Sequence, residues 1–210
     1  MNGMLAALFL ALPTLALAAP SLESVVSRGL TAFEATSMPR PSALAVAIAR
    51  RPATATMQGG FSGAPVDLTF DRRGWTITGG VNGVPAEVRI DHEAKTVTGG
   101  ANGAPVELSF DWTPEKVSFQ GGANLSPVMY TVDWKAGFIE GYCNHAPLRL
   151  QFSLADGTIT GYANRSAVEL KLDAQTGRLT GGMNAAPVDM TIINGDLSDF
   201  VQYLFLFLKR

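Results

Sequence analysis

From about residue 54 to residue 193 apolar and polar side chains alternate with a period of two, and the alternation breaks and resumes at fixed intervals. Glycine pairs mark the intervals: Gly59-Gly60, Gly79-Gly80, Gly99-Gly100, Gly121-Gly122 and Gly181-Gly182, with Gly141-Tyr142 and Gly161-Tyr162 filling the gap. The spacing is 20 residues, with a single interval of 22, so the segment holds seven copies of one unit.

One unit, Val97 to Asp111, shows what each copy builds. Asn102-Gly103 is a strong hairpin signal, because both residues tolerate the positive φ of a type I′ turn. A two-residue loop there pairs Ala101 with Ala104, Gly99 with Val106 and Val97 with Leu108, all on one face. Thr98 then meets Glu107, and Thr96 meets Ser109, on the other. The apolar set stays in phase only if the chain reverses at the turn. The units are joined by longer loops such as 72–75 and 92–95, and those at 134–137, 154–157 and 174–177 end in glycine, which suits a left-handed position. Prolines 65, 85, 105, 127, 147 and 187 follow the tight turns, at strand starts where a missing N–H is tolerated.

The expected fold is all-β: an antiparallel up-and-down meander of about 14 short strands, from seven 20-residue hairpin repeats, within residues 43–195. A further strand is expected over 43–50. Loop lengths set the stagger. Val97 faces Leu108, and Leu108 faces Gly121, which stands two places further along its own unit. Two residues of shear per hairpin makes shear equal strand number, the ratio of a closed barrel tilted by roughly 36°; the alternative is a strongly coiled open sheet wrapped around a helix. The apolar face is read as small near the tight turns (Gly99, Ala101, Ala104) and large near the long loops (Val97, Leu108, Phe110).

The flanks differ from the repeats. Residues 1–19 hold no charged side chain and one apolar run, and Ala16-Leu17-Ala18 fits a cleavage site, so they read as a secretory signal peptide. Within 20–42, an N-terminal helix is expected over 21–36, with Leu22, Val25, Val26, Leu30 and Phe33 on one face, followed by a linker. Residues 196–210 read as an apolar C-terminal helix, capped by Asp196 or Ser198, that must be buried in protein or in lipid; a last strand is the alternative, since YLFLFL is also a buried-strand pattern.

Composition narrows the chemistry. Only 16% of the 210 residues are charged and the formal charge is −2, which leaves no electrostatic footprint for nucleic acid. One cysteine and two histidines leave little for a disulfide framework or a histidine metal centre. Cys143-Asn144-His145 is the single Cys/His neighbourhood; a hydrolase using Cys143 and His145 needs the two in contact, whereas the alternation places Cys143 on the apolar face and His145 in a turn. His92 reads as a solvated loop residue. Asp71, Asp91, Asp111, Asp133 and Asp173 recur at loop entrances, as turn caps or as a calcium ladder. Trp75, Trp112 and Trp134 fall in or beside the long loops, as rim packing or a ligand platform. Asn124 and Asn164 begin glycosylation triplets. No catalytic, cofactor-binding or metal-binding residue is assigned, and no cofactor is expected.

Two functional readings remain, separated by which face points inward. With the apolar face inside, the chain is an exported, periplasmic or secreted, non-enzymatic envelope protein, structural or binding an apolar small molecule or lipid. With that face outside in lipid, it is a 14-stranded outer-membrane channel whose lumen holds Asp67, Glu87, Glu107, Glu169 and Asp189. The apolar band, about 18 Å tall, is short against the about 25 Å of outer-membrane barrels, which favours the first reading. The C-terminal helix decides much: inside the sheet it plugs the lumen, and outside it offers a membrane or partner contact.

Overall fold

A computed structural model describes residues 51–208. The segment 1–19, the helix expected over 21–36 and the strand expected over 43–50 lie outside the described residues. Fourteen strands pair in sequence order: β1 (Thr54–Phe61), β2 (Ala64–Asp71), β3 (Thr76–Val81), β4 (Val84–Asp91), β5 (Thr96–Ala101), β6 (Ala104–Trp112), β7 (Lys116–Ala123), β8 (Ser126–Asp133), β9 (Phe138–Cys143), β10 (Ala146–Ser153), β11 (Thr158–Ala163), β12 (Ser166–Leu172), β13 (Arg178–Met183) and β14 (Ala186–Ile193). β14 pairs back onto β1, with Met57 opposite Ile192, and closes the barrel. Closure removes both sheet edges, which an open meander would leave as pairing templates.

The register follows the turn chemistry. Asn82-Gly83 and Asn102-Gly103 have positive φ at both residues, as a type I′ turn requires, and so do the other five tight turns, including Leu125, His145, Arg165 and Ala185. Val97 faces Leu108, Gly99 faces Val106, Ala101 faces Ala104, and Leu108 faces Gly121. The two-residue drift per hairpin holds around the ring, so the shear at closure is 14 residues, equal to the strand count. That ratio fixes a tilt of about 36° and, at about 4.8 Å per strand, a backbone diameter of about 26 Å.

The apolar face points inward: Met57, Leu68, Ile77, Val97, Ile139 and Leu179 are almost wholly buried. Side chains reaching about 6 Å from each wall leave a central bore of about 14 Å, too wide for the wall to fill. The C-terminal segment fills it. Helix α1 (Leu197–Gln202) and a 3-10 turn (Leu204–Leu206) run down the bore, and residues 197–208 are all buried. An α-helix is about 10–12 Å thick with its side chains, which fits within the bore. The expected C-terminal helix is therefore shorter than 196–210: it ends at Gln202 and tightens into the 3-10 turn.

One expectation is corrected. Gly99 and its equivalents do not line the interior. Gly59, Gly79, Gly99, Gly121 and Gly181 are exposed, with φ between +129° and +148°. A Cβ on Gly99 would stand 2.1 Å from the Glu87 carbonyl oxygen of the neighbouring strand. These are bends open only to glycine, and one per hairpin lets the strands coil around the bore.

Candidate functional site

The bore is sealed at both ends by polar side chains that the hairpin pattern puts there. At the long-loop end, Asp196 caps α1, accepting from the Ser198 backbone N–H at 2.9 Å, while Asp199 accepts from the Asp196 N–H at 2.9 Å. Asp199 is 1% exposed and also accepts from Arg72 (3.0 Å) and Arg51 (3.2 Å). Arg72, 4% exposed, donates further to the carbonyls of Pro52 (2.7 Å) and Asn194 (3.1 Å). One guanidinium thus joins the start of β1, the exit of β14 and the plug helix. Arg51 also pairs with Asp196. Buried charges persist only when so partnered.

At the tight-turn end, the turn asparagines converge over the bore. Asn82 donates to Asn102, and Asn102 to Asn124. On the other side, Asn144 donates to Asn164 (2.6 Å), Asn164 to Asn184 (2.7 Å), and Asn184 to the Ser62 hydroxyl (3.3 Å). The same amides reach the plug. Asn124 donates to the Phe205 and Leu208 carbonyls at 3.0 and 2.9 Å, Asn102 to Leu206 (3.0 Å) and Asn184 to Phe207 (3.2 Å). A helical segment ends with carbonyls lacking internal partners, and here the turns supply the donors. Between the two ends the contacts are aromatic: Phe70 stacks on Tyr203 (4.8 Å), Phe61 packs on Phe207 (4.8 Å) and Phe119 on Phe205 (5.8 Å). Burial drives the Tyr130 hydroxyl far above its ordinary pKa, and the nearby Phe205 backbone offsets little of this.

The residues singled out by chemistry fall apart on this frame. Cys143 is buried in the wall, its thiol hydrogen-bonded to Asn164 Oδ1 at 3.1 Å and its pKa raised by burial, whereas His145 is exposed in the turn. His92 is not a solvated loop residue: its ring is half-buried between Trp75 (4.0 Å) and Phe110 (5.7 Å). Desolvation lowers its pKa, and the Asp91 charge only partly opposes this. Four of the loop aspartates cap their turns through Oδ1: Asp71 takes the Arg73 N–H (2.8 Å), Asp91 that of Ala94 (2.8 Å), Asp133 that of Ala136 (2.8 Å) and Asp173 that of Gln175 (2.8 Å). Asp111, before the longer loop, instead pairs with Lys95 at 2.6 Å. Trp134 is buried, Trp75 packs against the core, and Trp112 is exposed. Both glycosylation-type asparagines, Asn124 and Asn164, are engaged in the amide ladder, with Asn124 buried.

The acidic residues expected in a channel lumen stand on the outer face. Asp67, Glu87, Glu107, Glu169 and Asp189 are all exposed. That face has two characters. Over β4 to β6, Gly99 and Gly100 leave an open groove of about 620 Å³ bordered by Pro85, Pro105, Glu87 and Arg89. Over β8 to β11 the second glycine of the pair is replaced, and Met129 (52% exposed), Tyr142 (55%) and Tyr162 (64%) stand out from the surface. Sequence reading passed over both features, although the change from Gly-Gly to Gly-Tyr was visible in the repeat. Comparison with protein-family models, curated proteins and solved structures returned no match.

Proposed function

We propose that the chain is exported and serves as a non-enzymatic structural element of the cell envelope, working through its outer face. The occupied bore carries this reading. Residues 197–208 take the space that an apolar small molecule or lipid would need, and with it the path a channel would need. The burial of residues 197–208 speaks against a membrane contact through the C-terminal helix. The outer face supports the reading as well, since its strands alternate polar residues such as Thr98, Glu107 and Ser109 outward, as a wall in water does. The apolar leader-like segment 1–19 is the ground for export.

Cell fractionation tests it. The chain, expressed in a Gram-negative host, is expected in the fraction released by osmotic shock without detergent, with a mass beginning near Ala19 or Pro20. Retention in the outer-membrane pellet with heat-modifiable gel migration would overturn it and install the channel reading.

A further inference from the structure

The outer face holds a raised half and a hollow half built on one repeat, so they share one pitch. Tyr142 on β9 and Tyr162 on β11 occupy the register position that Gly80 on β3 and Gly100 on β5 occupy. In each pair the two positions lie two strands apart, about 9.6 Å across the sheet. The residue between them also corresponds, with opposite charge. Arg149 stands beside Tyr162 on β10, and Glu87 stands beside Gly100 on β4. Two aromatic knobs flanking a cation thus match two bare-backbone hollows flanking an anion. The space is open at Gly100, where a groove of about 620 Å³ over β4 to β6 is bordered by Glu87 and, further along β4, Arg89; Gly80 on β3 lies beyond this groove and is bare through its missing side chain alone. Arg149 is 79% exposed and its intramolecular partner Glu140 lies 3.8 Å away, a loose pair that leaves the guanidinium accessible.

We infer that a second copy of this chain is the partner of this face: Tyr142 and Tyr162 of one barrel seat in the Gly80 and Gly100 hollows of the next, with Arg149 set against Glu87. This rests on the structural reading above and deepens it. Knobs and hollows lie six strands apart in a ring of 14, roughly 150° around the wall, so a copy that uses one still presents the other. Such a head-to-tail contact uses different patches on its two sides, and it propagates as an open row where the rotation does not close.

Mixing complementary variants tests this. The full chain, purified from the exporting host, is followed by sedimentation velocity from micromolar to millimolar concentration, with circular dichroism to establish folding. Wild type is expected to form larger species as concentration rises, and less so at high salt. Gly80→Tyr with Gly100→Tyr fills the hollows. Neither position has a strained φ, a Cβ meets nothing nearer than 3.4 Å at Gly80 and 3.6 Å at Gly100, and two native repeats already carry tyrosine there, so this variant is expected to fold and to stay monomeric. Tyr142→Ser with Tyr162→Ser removes the knobs and is also expected to be monomeric. Mixed, the two variants have one usable junction and are expected to give a 1:1 dimer and nothing larger. Arg149→Glu, which touches no packing inside the wall, is expected to weaken assembly at least tenfold. A wild type monomeric to millimolar concentration, a hollow-filled variant that still assembles alone, or a mixture without a dimer would each overturn the inference. A monomer still released by osmotic shock refutes this contact while leaving the envelope reading intact; a chain held in the membrane refutes that reading instead.

Discussion

If the C-terminal segment is packed into the bore as a core element, removing one aromatic ring from it should destabilise the whole barrel. Phe205 has no exposed surface, its ring lies 5.8 Å from Phe119 of β7, and its carbonyl accepts from Asn124. Phe205→Ala deletes a fully buried ring from a closed space whose wall is hydrogen-bonded all round and cannot collapse inward. The expected cost is therefore at the usual size for such truncations, about 3–5 kcal/mol. For a domain of this length that corresponds to a fall of about 10 °C in Tm. Urea unfolding followed by tyrosine and tryptophan fluorescence measures it, and an unchanged slope would show that the exposed surface on unfolding is the same. Phe119→Ala and the double variant complete a cycle, in which the two rings should couple by about 0.5–1.5 kcal/mol. A loss below about 1 kcal/mol together with strict additivity would refute the reasoning, because a detached or loosely held segment would give that result.

Other outcomes follow from single sites. Gly121→Ala places a Cβ 2.1 Å from the Glu107 carbonyl at a φ of +148° and should cost about 2 kcal/mol or more, whereas Gly100→Ala, with nothing nearer than 3.6 Å, should stay within about 0.5 kcal/mol; paired thermal melts decide between them. His92 has a folded pKa below its ordinary 6.5, so the unfolded chain binds the proton first as pH falls. Its contribution is whole above pH 6.5 and is lost as pH falls through the depressed folded value; urea midpoints at pH 7.5 and pH 5 should differ in wild type by more than in His92→Phe. The Cys143 thiol, buried and raised in pKa, should resist an aromatic disulfide reagent in buffer and react fully in denaturant, and rapid labelling of the native chain would contradict its placement.

Much of this architecture was readable from the chain, for identifiable reasons. Asn102-Gly103 and its equivalents specify a turn type, and the turn type fixes register, so Val97 opposite Leu108 needed no coordinates. Loop length then fixed the stagger, and the stagger fixed closure. Gly99 escapes the same logic, because alternation is a statement about Cβ direction and glycine has none. The asparagine ladder was hidden because turn chemistry already accounted for Asn82, Asn102 and Asn184; their second task exists only once the ring closes. Arg72 and Asp199 stand 127 residues apart, and no local pattern joins them. The burial of His92 has no local signal, because its two aromatic neighbours, Trp75 and Phe110, come from other loops and strands.

The match between bore and plug also restricts how such a chain can change its length. Duplicating or losing one 20-residue hairpin is an easy genetic event, and in an open array of repeats it would be tolerated. Here each hairpin contributes about one seventh of the circumference, so its gain or loss changes the diameter by about 3.8 Å. A sixteen-stranded relative would leave a gap around the same terminal helix, and a twelve-stranded one would have no room for it. The girth of a dozen residues at the end of the chain thus sets the number of copies ahead of them.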